Sequence, residues 1–459
     1  MCCAPWRSEA ARTSNYRKKD GLSLHQSAPI NMARNVMRLF CGTVVLVIFT
    51  TVLAAPSHTS AQSRGRSIDL GEARTIHSAV LAEDREVLIA LPETYGRTSI
   101  SYPVLFLLDG SSHLLHATAT ARFLASARNR IPEMIVVAIP NTNRNRDLTP
   151  GPGATKFQRF LGDELIPWVE TNYRAASERI LFGHSLSASF AVHTLLNRAE
   201  LFDVYVAASP PLWRYDGLAG DTTAGLGHAG QARAALYLTV GEHENDRLRE
   251  GVERFAAVLK AGDSALPGWS YVLLKDEDHS STPHRSIYNA LEARYAEWRF
   301  KFFEDLTELD AVGGLKGLEA HYERFSKRFG YRAPPPEDRL LQVGRIYVAA
   351  ERHQEVMQLA SAYLTQYPAM AENLINQVGY DQLRRGQLVK AVQTFKRNVE
   401  LFPNSPNVHD SLGDAYCRTG DSGSARRSYQ QAAQVAKSRT PQHPRLGFYE
   451  AKAKKGCDS

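Results

Sequence analysis

Along the chain, hydrophobic and polar positions fall into three regimes. Residues 1–38 are polar and basic, residues 39–55 are apolar, and the remainder alternates short apolar runs with amphipathic ones. Residues 75–78 and 85–91 predict strands, the second alternating at Val87, Ile89 and Leu91. Residues 102–110 and 134–140 are continuously apolar, as expected of strands buried on both faces. Helical spacing follows the first of these through Leu115, Ala119 and Phe123, and residues 157–173 read as an amphipathic helix. Ile180 leads into a further strand, and residues 205–209 and 235–241 predict two more, separated by a Gly-rich loop at 217–230. A helix at 252–259, a strand at 270–274 and a helix at 288–303 complete the series. Strands alternating with helices predict an α/β fold: a mostly parallel sheet covered on both faces.

After residue 305 the pattern becomes helical throughout, with Ala333-Pro-Pro-Pro336 as a rigid join. Beyond it a period emerges. Gly379 and Gly413, Gly386 and Gly420, Ala391 and Ala425, and Phe395 and Tyr429 are each 34 residues apart, while Gly344 and Pro368 precede Gly379 and Pro403 by 35. Small residues at a helix crossing with an aromatic filling the gap resemble tetratricopeptide repeats: two units at 371–404 and 405–438, and a degenerate one at 337–370. Such an array implies a concave face for a protein partner or for self-association, or a cap packed on the preceding domain.

Charge changes the picture at one end only. Of the net +7, residues 1–38 hold +5 (seven basic side chains against Glu9 and Asp20) and residues 39–61 hold none, leaving 7 − 5 = +2 for the rest. A nucleic-acid partner is therefore not expected. Arg34 and Arg38 before the apolar run, with Ala54, Ala55 or Ala61 as cleavage points, predict a signal peptide with Met32 as the true start; uncleaved, it would anchor the chain to a membrane. The body is thus expected to be exported, periplasmic or secreted. Cys417 and Cys457 lie beyond this segment and could close one disulfide, but a buried thiol and a free tail thiol are preferred here. The expected layout is an N-terminal extension and signal at 1–61, an α/β domain at 62–304, a helical connection at 305–336, repeats at 337–440 and a polar tail at 441–459.

The candidate chemistry centres on Phe182-Gly-His-Ser-Leu-Ser187, between a strand and a helix pattern. Small-x-Ser-x-small in that context reads as a nucleophile elbow, whose turn is too sharp for bulky residues two positions from the serine. The Leu186 amide then opens a helix and can face a developing oxyanion, joined by an amide of Gly110 or Ser111 after the 102–108 strand. Serine needs an imidazole to take its proton and a carboxylate to orient that imidazole. His279 follows the last core strand, and Glu244 is the first choice of acid, with Asp246 the alternative; Glu242, Asp276 and Asp278 are also close in sequence. The order serine, acid, histidine is that of the α/β-hydrolase fold. Arg144 and Arg146 could bind an acidic substrate or, alternatively, pin their own loop through Asp147; Trp213 could line the acyl pocket or plug the core.

Taken with Leu107-Leu-Asp-Gly110, Asn141-Thr-Asn-Arg-Asn-Arg-Asp-Leu-Thr-Pro150 and Ala208-Ser-Pro-Pro-Leu-Trp213, the elbow resembles the esterase D-like family of α/β-hydrolases over residues 70–300. The resemblance implies serine ester chemistry on a small-molecule ester, without metal or organic cofactor, with Ser185 and His279 at the motif positions. It departs from the family at Ser187-Ala188, where two glycines are common, and at Pro211 and Arg214, where Ser and Trp are common. An exported esterase for siderophore-type or other small polar esters is the leading expectation. An acyltransferase with the same triad and a non-catalytic scaffold recruiting partners through its repeats are the alternatives.

Overall fold

The computed structural model describes residues 69–458 except 127–128, 216–226, 228, 233, 262–265, 267 and 440–442. The expected signal segment, with its cleavage points, and most of the Gly-rich loop lie outside the described residues. Among the described residues, no helix is long and apolar enough to cross a membrane.

Eight strands form one sheet in the order β1-β2-β4-β3-β5-β6-β7-β8. β1 (Glu72–Ser78) and β2 (Glu83–Ala90) pair as an antiparallel hairpin, and β2 runs antiparallel to β4 (Ile135–Ala138). From β4 through β3 (Tyr102–Leu107), β5 (Ala175–His184), β6 (Val204–Ala208), β7 (Ala235–Gly241) and β8 (Gly268–Leu274) all pairs are parallel. The uninterrupted apolar runs are the central strands, where β3, β4 and β6 are buried at every position.

Three elements differ from expectation for identifiable reasons. The helix expected at 157–173 is interrupted by a π-turn at Phe160–Leu165 just before Pro167, which has no amide hydrogen to donate. Helix Gly110–Ser126 turns Leu115 (69% exposed) and Phe123 (50%) outward, and buries instead small and polar residues such as His113, Ala117 and Ala121. The last helix of the domain, Thr282–Arg294, ends early, and Trp298, Phe300 and Phe303 fill the core from irregular chain.

One apolar cluster continues from beneath the sheet through Trp298, Phe303, Tyr322 and Phe325 to Leu374 and Val378. The expected boundaries at 304 and 336 therefore fall inside a shared core. Ser99 also donates to Thr365 O (2.8 Å), and Arg97 pairs with Glu337 (3.1 Å) across it. Further on, helices pair as Pro368–Arg384 with Leu388–Leu401 and Pro406–Thr419 with Ser422–Lys437. A Cβ on Gly379 would lie 2.5 Å from the Phe395 ring, and one on Gly413 would lie 2.4 Å from Tyr429. The recurring small residue is thus the seat of the recurring aromatic. Two expectations are corrected at the chain end: the polar tail folds as helix Leu446–Lys455, with Tyr449 buried, and Cys417 is disulfide-bonded to Cys457.

Candidate active site

Ser185 directly follows β5 at φ 57°, ψ −123°, in the N-cap position of helix Leu186–Asn197. The cause is steric. Gly183 sits so close to the returning chain that a Cβ there would meet Ser187 O at 2.3 Å. Left-handed, non-glycine residues recur along the carboxyl edge of the sheet, at Asp109 (φ 51°) after β3, Ser209 (φ 50°) after β6 and Asp276 (φ 61°) after β8. Strain of order 1–3 kcal/mol at each such position persists only where the surroundings hold it.

The loops after β7 and β8 meet beside this turn, with His243 N bonded to Glu277 O at 2.9 Å. That contact brings Glu244 against His279. The His279 Nδ1 lies 2.9 and 3.2 Å from the two Glu244 carboxylate oxygens, and Nε2 lies 3.0 Å from Ser185 Oγ. Because an ionised carboxylate can only accept, Nδ1 carries the proton and Nε2 is left to accept from the serine. The Glu244 side chain is fully buried, and its hydrogen bond raises the His279 pKa above the ordinary value of 6.5. The other acids have different work. Asp246 is 80% exposed and pairs with Arg249 (2.8 Å), Glu242 accepts from Asp276 N (3.0 Å), and Asp278 caps the turn at Ser280 N (2.8 Å).

The two oxyanion candidates after β3 separate as well. Gly110 N donates to Ile139 O at 2.8 Å and is occupied, which corrects the expectation for that amide. Ser111 is the next amide at the exposed start of the same helix.

Arg144 and Trp213 line a cleft of about 330 Å³ with Ser185, His279, Asn145 and Asn245. Arg144 is not a free cation, since it forms a bidentate pair with Asp109 (2.6 and 2.9 Å). Arg146 points elsewhere. It binds Glu83 (2.6 Å) and Asp147 (2.6 Å), and buried Arg85 holds the same Asp147 at 2.7 Å. The arginine–aspartate run is therefore a pinned loop at residue 146 and a cleft wall at residue 144. Trp213 is half-buried, with the Arg247 guanidinium 5.0 Å from its ring centroid.

Two residues of the site escaped sequence reasoning. His184 Nε2 donates to His279 O at 2.7 Å with the two rings 4.6 Å apart; burial, then the neighbouring His279, lower its pKa to about 4. Asp109 accepts from Ser187 Oγ at 2.6 Å as well as from Arg144. Its sequence signals were its place in the Leu107-Leu-Asp-Gly110 run and an aspartate before glycine at a strand end, neither of which gives the carboxylate a partner.

The chain is similar to the siderophore triacetylfusarinine C esterase of Aspergillus fumigatus, at 28% identity over 43% of this chain and 83% of that protein. It is similar also to the siderophore enterobactin esterase of Emericella nidulans, at 32% identity over 32% of this chain and 60% of that one. Among solved structures, an IroE-like serine hydrolase from Shewanella oneidensis shares the fold with a TM-score of 0.51 and 24% identity, over 66% of this chain and 98% of that one. The family model Esterase ("Putative esterase") matches residues 78–309, from the end of β1 into the helix Leu306–Ala311. That span is half of the chain and contains the whole candidate site, so the protein belongs to the Esterase family and is an ester-hydrolysing enzyme.

Proposed function

We propose that the protein is an exported serine esterase in which Ser185 is the nucleophile, His279 the general base and Glu244 the orienting acid. The observation that carries this reading is the hydrogen-bonded line from Ser185 Oγ through His279 to Glu244. As Ser185 Oγ bonds to the ester carbonyl carbon, its proton passes to His279 Nε2 and the carbonyl oxygen gains charge. The Leu186 amide, at the start of its helix, and the Ser111 amide stabilise that oxyanion. Collapse of the tetrahedral intermediate expels the alcohol, which takes the proton back from His279, and an acyl-serine remains. Water then attacks by the same route and releases the acid.

The substrate class we assign is small polar esters of the siderophore type. The relatives named above as siderophore esterases support it, as does an open cleft offering Arg144, Asn145 and Asn245 beside one aromatic wall. The disulfide supports export, because such bonds persist in oxidising compartments. We assign the paired helices, as tetratricopeptide-like units, to partner binding or self-association.

The test is hydrolysis of 4-nitrophenyl acetate and butyrate by the mature protein and by Ser185→Ala, with fluorophosphonate labelling alongside. The expected loss in the variant is on the order of 10³-fold or more. Equal rates together with an unlabelled wild type would refute the assignment.

A further inference from the structure

We propose that Asp109 is a positioning residue for ester hydrolysis, tying the cleft arginine Arg144 to the turn that presents Ser185. The proposal rests on Ser185 being the nucleophile. Asp109 follows β3 in a left-handed conformation and is 8% exposed. Asparagine or glycine would serve such a turn at lower cost, because a buried carboxylate must be paired to be tolerated. Its partners come from the segments that build the site. Oδ1 accepts from Asn141 Nδ2 (2.5 Å) and Arg144 Nε (2.6 Å), while Oδ2 accepts from Arg144 Nη2 (2.9 Å) and Ser187 Oγ (2.6 Å). Burial alone would raise its pKa, but the bonds from Arg144, Ser187 and Asn141 outweigh it and hold the group ionised below its ordinary range.

The link does not stop at Ser187. That hydroxyl also accepts from His184 N (2.9 Å), and the His184 ring donates to His279 O (2.7 Å). One carboxylate thus anchors two arms. The elbow arm runs through Ser187 to the backbone on either side of Ser185, including the helix start where the Leu186 amide lies. The cleft arm fixes the guanidinium of Arg144 beside Ser185 and His279. Ser187 stands where the family commonly has glycine, and its hydroxyl is the atom that closes the elbow arm in this chain.

The two arms predict separable kinetics. The full mature chain, Asp109→Asn, Ser187→Ala and Arg144→Gln are compared for kcat and KM on 4-nitrophenyl methoxyacetate, a small polar ester, and for the rate of fluorophosphonate labelling. Asp109→Asn keeps the shape of the side chain but turns an amide N–H toward donors, so kcat/KM should fall on the order of 10²-fold, the scale of a reacting group displaced by about 1 Å. Ser187→Ala should lower kcat and slow labelling about fivefold or more with KM nearly unchanged. Arg144→Gln should raise KM about fivefold or more with labelling unchanged. Thermal unfolding separates these effects from loss of fold. Asp109→Asn that folds and keeps more than half of wild-type kcat/KM overturns the proposal while leaving Ser185 as the nucleophile. A wild type that neither turns over nor labels at Ser185 overturns both. Should Asp109→Asn not fold, the single-arm variants decide: unchanged kcat and labelling in Ser187→Ala overturn the link, and the split described above supports it.

Discussion

Replacing Glu244 by glutamine is the sharpest test of the proposed triad. The carboxylate is fully buried and accepts a hydrogen bond of 2.9 Å from the protonated Nδ1 of His279. Glutamine is nearly isosteric, but its amide can donate to Nδ1 and so favour the tautomer with the proton on Nε2. That nitrogen could then no longer accept from Ser185 at 3.0 Å. A wrong tautomer in an otherwise intact triad costs about 10⁴ in kcat, or about 5 kcal/mol of transition-state stabilisation. The pH profile carries an independent signature. As the proposed general base His279 must be neutral, and Glu244 raises its pKa above 6.5, so wild-type kcat/KM should rise with pH through that raised value. In Glu244→Gln the acid limb of the residual activity should move to lower pH. Stability shifts with the opposite sign. The charged pair contributes fully below the unfolded histidine value of about 6.5 and loses its contribution as pH rises through the folded value, so the variant should be more destabilised in acid than in alkali. Asp246→Asn, at an exposed residue paired only with Arg249 among the described residues, should keep wild-type kcat within twofold. The assay is initial-rate hydrolysis of 4-nitrophenyl butyrate from about pH 5 to 9, spanning the ordinary histidine range. A Glu244→Gln enzyme retaining more than a tenth of wild-type kcat, or an Asp246→Asn enzyme as impaired as Glu244→Gln, would refute the reasoning.

Two further outcomes concern the helical region. Gly379→Ala places a Cβ 2.5–2.8 Å from three carbons of the Phe395 ring and should destabilise that helix pair by about 1–3 kcal/mol, read as a lower denaturant midpoint; an unchanged midpoint contradicts the packing role. Opening the Cys417–Cys457 bridge, whose partners are 40 residues apart, restores chain entropy worth about 4 kcal/mol to the unfolded state. Cys457→Ser, or reduction of the wild type, should speed amide exchange across residues 446–458, and equal exchange rates would show that the bridge does not hold the terminal helix.

What the sequence determined by itself was local. The central strands are apolar over unbroken runs, the elbow is a five-residue steric signature, and the 34-residue period pairs a small residue with an aromatic within one helix hairpin. In each case the physical cause lies within a few turns of chain, so the α/β architecture was legible, and so was the turn that carries Ser185. Tertiary structure decided the rest, because hydrogen-bond partners depend on which loops the strand order brings together. Glu244 was the first choice among five nearby carboxylates, with Asp246 next, but no local signal gave it a partner; the meeting of the β7 and β8 loops places it 2.9 Å from His279 Nδ1. Gly110 and Ser111 were equivalent until Ile139 O, from a neighbouring strand's end, took the Gly110 amide. Periodicity located helix Gly110–Ser126 but not its buried face, since the sheet surface accepted His113, Ala117 and Ala121 and left Leu115 and Phe123 in solvent. Asp109 belonged to a motif but had no assigned role for the same reason: a carboxylate at a strand end means little until Arg144, Asn141 and Ser187 converge on it from elsewhere in the chain.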